Sequence, residues 1–544
     1  MMGPVAASIW EIRRKISVAL EKHVHQVSFA KFLRASSPRT RRSGRRVVLV
    51  IVNKIPSHHV GLSQAAPAFA LRTDSRLVGF YSSFPTSSGL GRVVDFLMEV
   101  ILRVRGSSLR SLYSSFGVRG FITPERKRVD SRQVDRDLQL LRRAVQSKVQ
   151  LEHVTIRGVL IGDLIYDQYL LELRKVTVEL ADPDLWRIAH RSLELLQFYE
   201  RFFDRFDVSA VFGNNAYLNA IPNRLALARG VDVYEADVGV QKVGRPDQPN
   251  YLADFPGEFS KILDPDFPAQ YAKAKAYLSD FVSGRPVQPL FGHSFQSFQR
   301  KTTTSGSPLP AGGSRVLVAP HNPFTDSPHA VGYSLFPDYG EWLDHLGRLA
   351  AELNYSWLVK IHPDSRDSVS TSRNREWVQD FVSRHPQFAI VPEGTTHATL
   401  IESGIDAVLT VHGSIGFEYA ACGVPVINAS TYHPHSGYSF NYSPRSVMEY
   451  DALLRQIPSL SAPVNLEEVA EFFYMRMIES SKSPFFEDLH AVSLRLGGVF
   501  NWDRPELYAE FMAEYSTERN VKARASLGPF FDSDDRRWYD RHRF

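Results

Sequence analysis

Cysteine is nearly absent from this 544-residue chain, with Cys422 standing alone. No intrachain disulfide can form, and a cysteine-based zinc site is excluded. Such usage fits a reducing compartment, so a cytoplasmic location is expected. The chain has no uninterrupted apolar stretch of about 18 residues, so no spanning helix is expected. The opening MMGPVAASIWEIRRKISVALEKH lacks the apolar core of a signal peptide, because Glu11, Arg13, Arg14 and Lys15 interrupt it. A strong charge of one sign is also missing, since 64 Lys and Arg face 59 Asp and Glu for a net +5. No nucleic-acid motif accompanies that small excess, and no nucleic-acid partner is expected.

What is present is material for substantial cores: 43% hydrophobic and 12% aromatic residues. A chain this long exceeds what one core organises, so two domains are expected. Residues 1–46 read as a basic N-terminal arm. Arg34, Arg39, Arg41, Arg42, Arg45 and Arg46 follow one another with no acid between them. The run is either a solvated linker or a clamp onto an anionic membrane surface, behind an amphipathic helix carrying Ile9, Trp10, Ile16 and Leu20.

Residues 47–300 read as a first Rossmann-like domain with helical insertions. Its expected strands include Val47–Val52, the apolar run Arg157–Asp163, Val208–Phe212 and Val231–Tyr234. Helices are expected at Leu97–Val104, Val134–Val149, Ala181–Phe206 and Ile221–Ala228. The Pro-, Gly-, Ser- and Thr-rich stretch at 284–313 supplies a linker, placed at 301–314. Residues 315–500 alternate strand and helix regularly, as a second doubly wound domain does. Residues 501–544 complete the chain as a helical tail. The fold class is α/β, two doubly wound domains facing a cleft.

Ligands of open parallel sheets bind beyond the carboxyl ends of the strands. In the second domain those ends carry PHNPFTDSPH with His321 and Asp326, then HPD, which begins with His362 and Pro363, two residues after Lys360. The next carry HGSIGFE with His412, Gly413, Ser414 and Glu418, and ASTYHPHSG. HGSIGFE suits an anion: Gly413 and Gly416 allow close backbone approach, Ser414 offers a hydroxyl, and a helix begins there. Ser414 reads equally as a plain N-cap. Glu418 is placed to meet a ribose or merely to favour the helix dipole. Lys360 and His362, two apart, share a face on a regular strand. His321, Asp326 and His329 could in principle hold a metal, but no helical His pair or cysteine supports that, and the same holds for His433 and His435. No metal or other cofactor is expected.

The runs FTDSPHAVGYSLFPDYGEWLDHL, WLVKIHPD and VLTVHGSIGFEYAACGVPVINAS, with RGVLIGDLIYDQYL and VFGNNAYLNAIPNRLALARGVDVY before them, resemble the capsule and surface-polysaccharide biosynthesis proteins. These are relatives of bacterial Kdo transferases and, more distantly, of sialyltransferases with the GT-B fold. The likeness spans roughly residues 150–450. It implies a glycosyltransferase in which His362-Pro363 and Ser414 hold the phosphate of a nucleotide sugar, typically a CMP sugar. Glu418 and the 429–437 loop would meet the nucleoside. The partners implied are a nucleotide sugar and a polysaccharide or lipid-linked glycan acceptor. The Asp-Gly pair that supplies the base in sialyltransferases has no clear counterpart.

Glycosyl transfer needs a base for the acceptor hydroxyl and donors for the departing phosphate. The base is expected from the first domain, at Asp163, His58 or His59. Asp163 reads equally as a helix N-cap. Asn214, Asn215 and Tyr217, after Val208–Phe212, are candidate acceptor contacts. Two other functions compete: a glycerophosphotransferase with a CDP-glycerol donor, and a non-catalytic capsule assembly or export protein on the same fold.

Overall fold

The computed structural model describes residues 24–38, 44–82, 108–249, 251–283, 285, 313–362, 368–463, 465–497 and 503–543. Two parallel sheets organise them. The first joins β1 (Arg46–Ile51), β2 (Arg76–Phe80), β3 (Val118–Ile122), β6 (Asp207–Phe212), β7 (Asp232–Ala236) and β8 (Val240–Lys242) in the order β3-β2-β1-β6-β7-β8. Only β8 runs antiparallel to its neighbour. The second joins β9 (Ser314–Val318), β10 (Tyr355–Val359), β11 (Phe388–Ile390), β12 (Ala407–Thr410) and β13 (Val426–Asn428) in the order β11-β10-β9-β12-β13. Both orders are doubly wound, and both reverse direction beside their first strand. The switch points therefore lie between β1 and β6 and between β9 and β12.

The apolar run RVVLVI is buried from Val47 onward, as a strand covered on both faces requires. The expected strand at Arg157–Asp163 does not form in the sheet. Its middle is the two-residue strand β5 (Val159–Leu160), paired antiparallel with β4 (Thr155–Ile156), and Asp163 lies in the first turn of the Gly162–Leu173 helix. Val134–Val149 divides into helices Ser131–Ala144 and Lys148–Glu152, the second capped by Ser147. The helix expected at Leu97–Val104 and the linker at 301–314 lie outside the described residues except for Gly313 and Ser314.

Core membership moves the domain boundaries. Tyr251, Phe255 and Phe281 pack with the second sheet, against Phe417 and Phe472, although they precede the composition break. Phe485, Leu507, Phe530 and Trp538 pack into the first core. The chain thus enters the second unit after Val243 and returns near Phe485, not at 300 and 500. Residues 536–538 run alongside β8, with Lys242 N–H donating to the Arg536 carbonyl and Trp538 N–H to that of Val240.

The arm is also redrawn. Residues 24–36 are helical, with Phe29 and Leu33 fully buried and Phe29 stacked on Tyr508 at 4.5 Å. Arg45 donates to the Arg205 carbonyl and Arg46 pairs with Asp207, so part of the arginine run binds the protein itself. Ile9, Trp10, Ile16 and Leu20 lie outside the described residues, as do Arg39, Arg41 and Arg42. Among the described residues no helix is long and apolar enough to cross a membrane.

Candidate functional site

The second switch point is packed with rings. His321 follows β9, His362 follows β10 and His412 follows β12, and the three meet. The His321 and His412 centroids lie 4.0 Å apart, and His362 stacks on His321 at 6.3 Å. The His412 N–H donates to His321 Nε2 at 3.3 Å. That leaves His321 Nδ1 to carry the proton, facing Asp326 Oδ2 at 3.6 Å. His412 Nε2 bonds the Tyr339 hydroxyl at 3.0 Å, while its Nδ1 has no partner among the described residues. Burial, then the neighbouring His321, holds His412 far below the ordinary imidazole range. It is a neutral ring.

Lys360 and His362 do not act as a free pair. Lys360 donates to the Thr395 carbonyl at 2.8 Å, and burial lowers its pKa. Pro363 lies outside the described residues. The metal reading for His321, Asp326 and His329 also falls away, because His329 faces different partners, described below. Among the described residues no group of His, Cys, Asp or Glu is placed to hold a metal ion.

The HGSIGFE segment begins the Ile415–Ala421 helix. Ser414 occupies the N-cap without a side-chain capping bond and is exposed. Gly416 and Phe417 donate their amides back to the Gly413 and Ser414 carbonyls. Gly413 donates its own amide to Thr410 Oγ1 at 3.4 Å. The dipole end expected here is therefore partly closed on itself, with the amides of Ser414 and Ile415 lacking a protein acceptor among the described residues. Gly416 is required by packing: a Cβ there would lie 2.5 Å from His435 Cε1. Glu418 is 2% exposed, with Oε1 lacking a partner among the described residues. Burial raises its pKa to about 8, opposed by a hydrogen bond from Ser414. At neutral pH it is a carboxylic acid, able both to donate and to accept. His433 and His435 are buried, with His435 packed against Gly416 and Phe417, and burial lowers His433 to about 3.

The first switch point is open. A cavity of about 360 Å³ lies beyond the carboxyl ends of β1, β6 and β7, and His58, Asn214, Glu235, Asp237, Arg476 and Arg537 are among its lining residues. His58 and Asn214 were legible from sequence; the carboxylates and arginines were not. Glu235-Ala236-Asp237 straddles the end of β7, an expected strand whose end was left unread, and that position was the available signal. Arg476 and Arg537 come from distant helix and tail segments, with no local signal.

The expected bases fare differently. Asp163 is 1% exposed, with Oδ2 on Arg224 Nη2 at 2.6 Å and Oδ1 on the Leu164 amide at 2.9 Å. Both oxygens are occupied, which makes it a buried strut rather than a base. His59 is buried between the Tyr508 hydroxyl and the Asn53 carbonyl, and burial lowers it to about 4. In His58, Nδ1 lies 2.8 Å from Asn53 Nδ2. The Asn53 amide is oriented by its oxygen, which accepts from the Ile55 N–H at 3.0 Å. Nδ1 therefore accepts, and the neutral ring carries its proton on Nε2. Burial lowers the His58 pKa, partly offset by the Asp237 charge. His58 is a donor, not the base expected of it. Asn215 gives its N–H to Glu235 at 2.8 Å, and Tyr217 sits in the left-handed region at φ 56°.

The two rims meet. Arg476, which lines the cavity, lies near enough to His435 for its charge to add to the burial and the His433 ring that lower that imidazole's pKa. Elsewhere the halves are bolted together. His329 is bonded through Nδ1 to Asp167 at 2.6 Å and through Nε2 to Glu152 at 3.0 Å, and Asp167 also accepts from Ser327. Burial pulls His329 down, but the Asp167 charge and the bonds to both carboxylates prevail and raise it to about 10. Nearby, Asp338 caps the Tyr339–Ala350 helix while accepting from Tyr166 and from Thr177 at 2.7 Å.

No family model matches the chain, and no curated protein matches it either. Solved structures align over most of its length at low identity. A putative UDP-N-acetylglucosamine 2-epimerase from Listeria monocytogenes is 10% identical, covering 80% of this chain and 97% of its own, with a TM-score of 0.21. An α,α-trehalose 6-phosphate synthase from Burkholderia multivorans is 12% identical, covering 89% and 98%, at 0.23. The wall teichoic acid polymerase TagF is 11% identical, covering 95% and 100%, at 0.18. At these scores none of their activities carries over to this chain.

Proposed function

We propose that this protein is a glycosyltransferase that moves a sugar from a nucleotide-activated donor, a CMP sugar such as CMP-Kdo or CMP-sialic acid, to a surface polysaccharide or glycolipid acceptor. One observation carries the reading: two doubly wound sheets each gather polar side chains beyond their strand ends, imidazoles and a serine at one and an open polar cavity at the other. In this reading His362, Ser414 and the 414 and 415 amides receive the donor phosphate as its bond to the sugar breaks. Protonated Glu418 meets a ribose hydroxyl, and the first-sheet cavity takes the acceptor. The reaction proceeds without a divalent metal; loss of turnover in a chelator, restored by magnesium or manganese, contradicts that part.

A thermal-shift panel of CMP, UDP, GDP and CDP-glycerol tests the reading, because a ligand of the folded state raises the midpoint by mass action. A rise with CMP, followed by transfer from a CMP sugar, is the expected result. A rise with CDP-glycerol alone makes the protein a glycerophosphotransferase. No rise with any of the four leaves a non-catalytic assembly protein and overturns the proposal.

A further inference from the structure

The first-sheet cavity sorts its polar groups into those already committed and those still available. Glu235 is committed: its two oxygens accept from the Asn215 amide at 2.8 Å and from Gln241 Nε2 at 2.6 Å. Asp237 is not. One of its oxygens accepts from the Gly239 N–H at 2.8 Å, and Oδ2 has no protein donor among the described residues. Asp237 is exposed toward solvent at a position that lines the cavity. Beside it His58 presents a protonated Nε2, because Asn53 fixes the tautomer at the other nitrogen. Arg476, in the last turn of the Leu466–Met477 helix, also lines the cavity.

The cavity therefore offers an uncommitted acceptor and two donors around one small volume. Polyhydroxylated ligands need that alternation, since each hydroxyl donates once and accepts as well. At about 360 Å³ the cavity is near the small end of ligand sites, roughly 300–1,000 Å³. It suits the end of a glycan and not a long stretch of one.

We propose that this cavity binds the terminal sugar of a glycan acceptor and that Asp237, not His58 or Asp163, takes the proton from the attacking hydroxyl. The proposal rests on the glycosyl-transfer reading above. In the step, the acceptor oxygen bonds to the donor's anomeric carbon as the bond from that carbon to the phosphate oxygen breaks. The bonding pair leaves on the phosphate, and the hydroxyl proton passes to Asp237 Oδ2. His58 donates from Nε2 to a neighbouring acceptor hydroxyl and orients it.

The test uses the full chain and the methyl glycosides of glucose, galactose and N-acetylglucosamine. Saturation-transfer NMR from protein to at least one of them is expected. Gly239→Val should abolish it, because a Cβ at Gly239 meets only the Arg537 guanidinium and the Asp237 carboxylate, at 3.5 Å or more, and so sets the branched side chain among the groups that line the cavity. Nucleotide-induced stabilisation should be unchanged in that variant. No transfer to any methyl glycoside, or equal transfer in Gly239→Val, overturns the acceptor cavity. With the donor that the nucleotide panel selects and the glycoside that binds, Asp237→Asn should lower turnover by about 100-fold or more while leaving KM within a few-fold. Asp237→Glu should recover part of it. Asp237→Asn turnover close to the unsubstituted protein overturns the assignment of the base. Methyl glycosides that bind when no nucleotide does would keep the cavity as a sugar site and remove both the transfer reading and the base.

Discussion

The two switch points share a strand order and differ in what fills them. Between β9 and β12, three imidazoles and Tyr339 pack ring against ring. At the first sheet, the helix with His58 on its first turn, the loop with Asn214 and the β7–β8 turn line an open cavity. One fold can thus supply a preformed, rigid contact surface on one side and room for a substrate on the other. Division of labour between such halves requires that they stay in register, and the buried His329 network provides that register.

The largest expected effect comes from breaking the register. Asp167→Ala leaves the His329 cation buried with a lost partner, and should destabilise the fold by about 3–5 kcal/mol. Urea unfolding measures it, and a change under 1 kcal/mol would mean the network does not bind the halves together. Next, His362→Ala and Ser414→Ala act on the packed rim alone. Each should reduce kcat/KM by about 2–4 kcal/mol of transition-state stabilisation while leaving the unfolding midpoint in place. Full activity in either purified variant would remove the phosphate site.

Titration sharpens the contrast between network and rim. His329, raised to about 10, contributes stability that is whole below its unfolded value of 6.5 and is lost as pH climbs through 10. His433, lowered to about 3, acts in the opposite sense, because the unfolded state gains a proton first as pH falls below 6.5. Stability should therefore decline on both sides of neutrality, with the alkaline limb flattened in His329→Gln and the acid limb in His433→Gln. Urea midpoints from pH 4 to 10 check both limbs; limbs unchanged by these substitutions would refute the assignment. The smallest effect concerns the arm. Replacing Arg39, Arg41 and Arg42 with Gln should weaken sedimentation with anionic liposomes by about 1 kcal/mol per charge at low salt. Equal sedimentation would leave the run a solvated linker. Truncation at Arg46 is no test, since it removes Phe29 and Leu33 from the core.

Much of the second sheet was legible because each short apolar run there ends in its own turn residues, which fix strand and direction together. Ile221–Ala228 was read to the residue for the same reason. RGVLIGD misled because apolar content alone does not distinguish a sheet strand from the lead-in to a buried helix. The linker misled because a composition change marks an exposed loop, whereas Tyr251–Phe281 shows no local sign of which core receives it.

The sequence by itself determined that there are two doubly wound units, that their strand ends carry histidine, serine and glycine, and that no disulfide holds them. These properties follow from period, turn chemistry and residue count, all local along the chain. Tertiary structure alone decided that Asp163 pairs with Arg224, 61 positions away, and that Asn53 makes His58 a donor. It also brought Arg537 across the molecule to Asn214's cavity. A side chain's charge, tautomer and availability depend on the partners that packing delivers, and those partners need not be its neighbours in sequence.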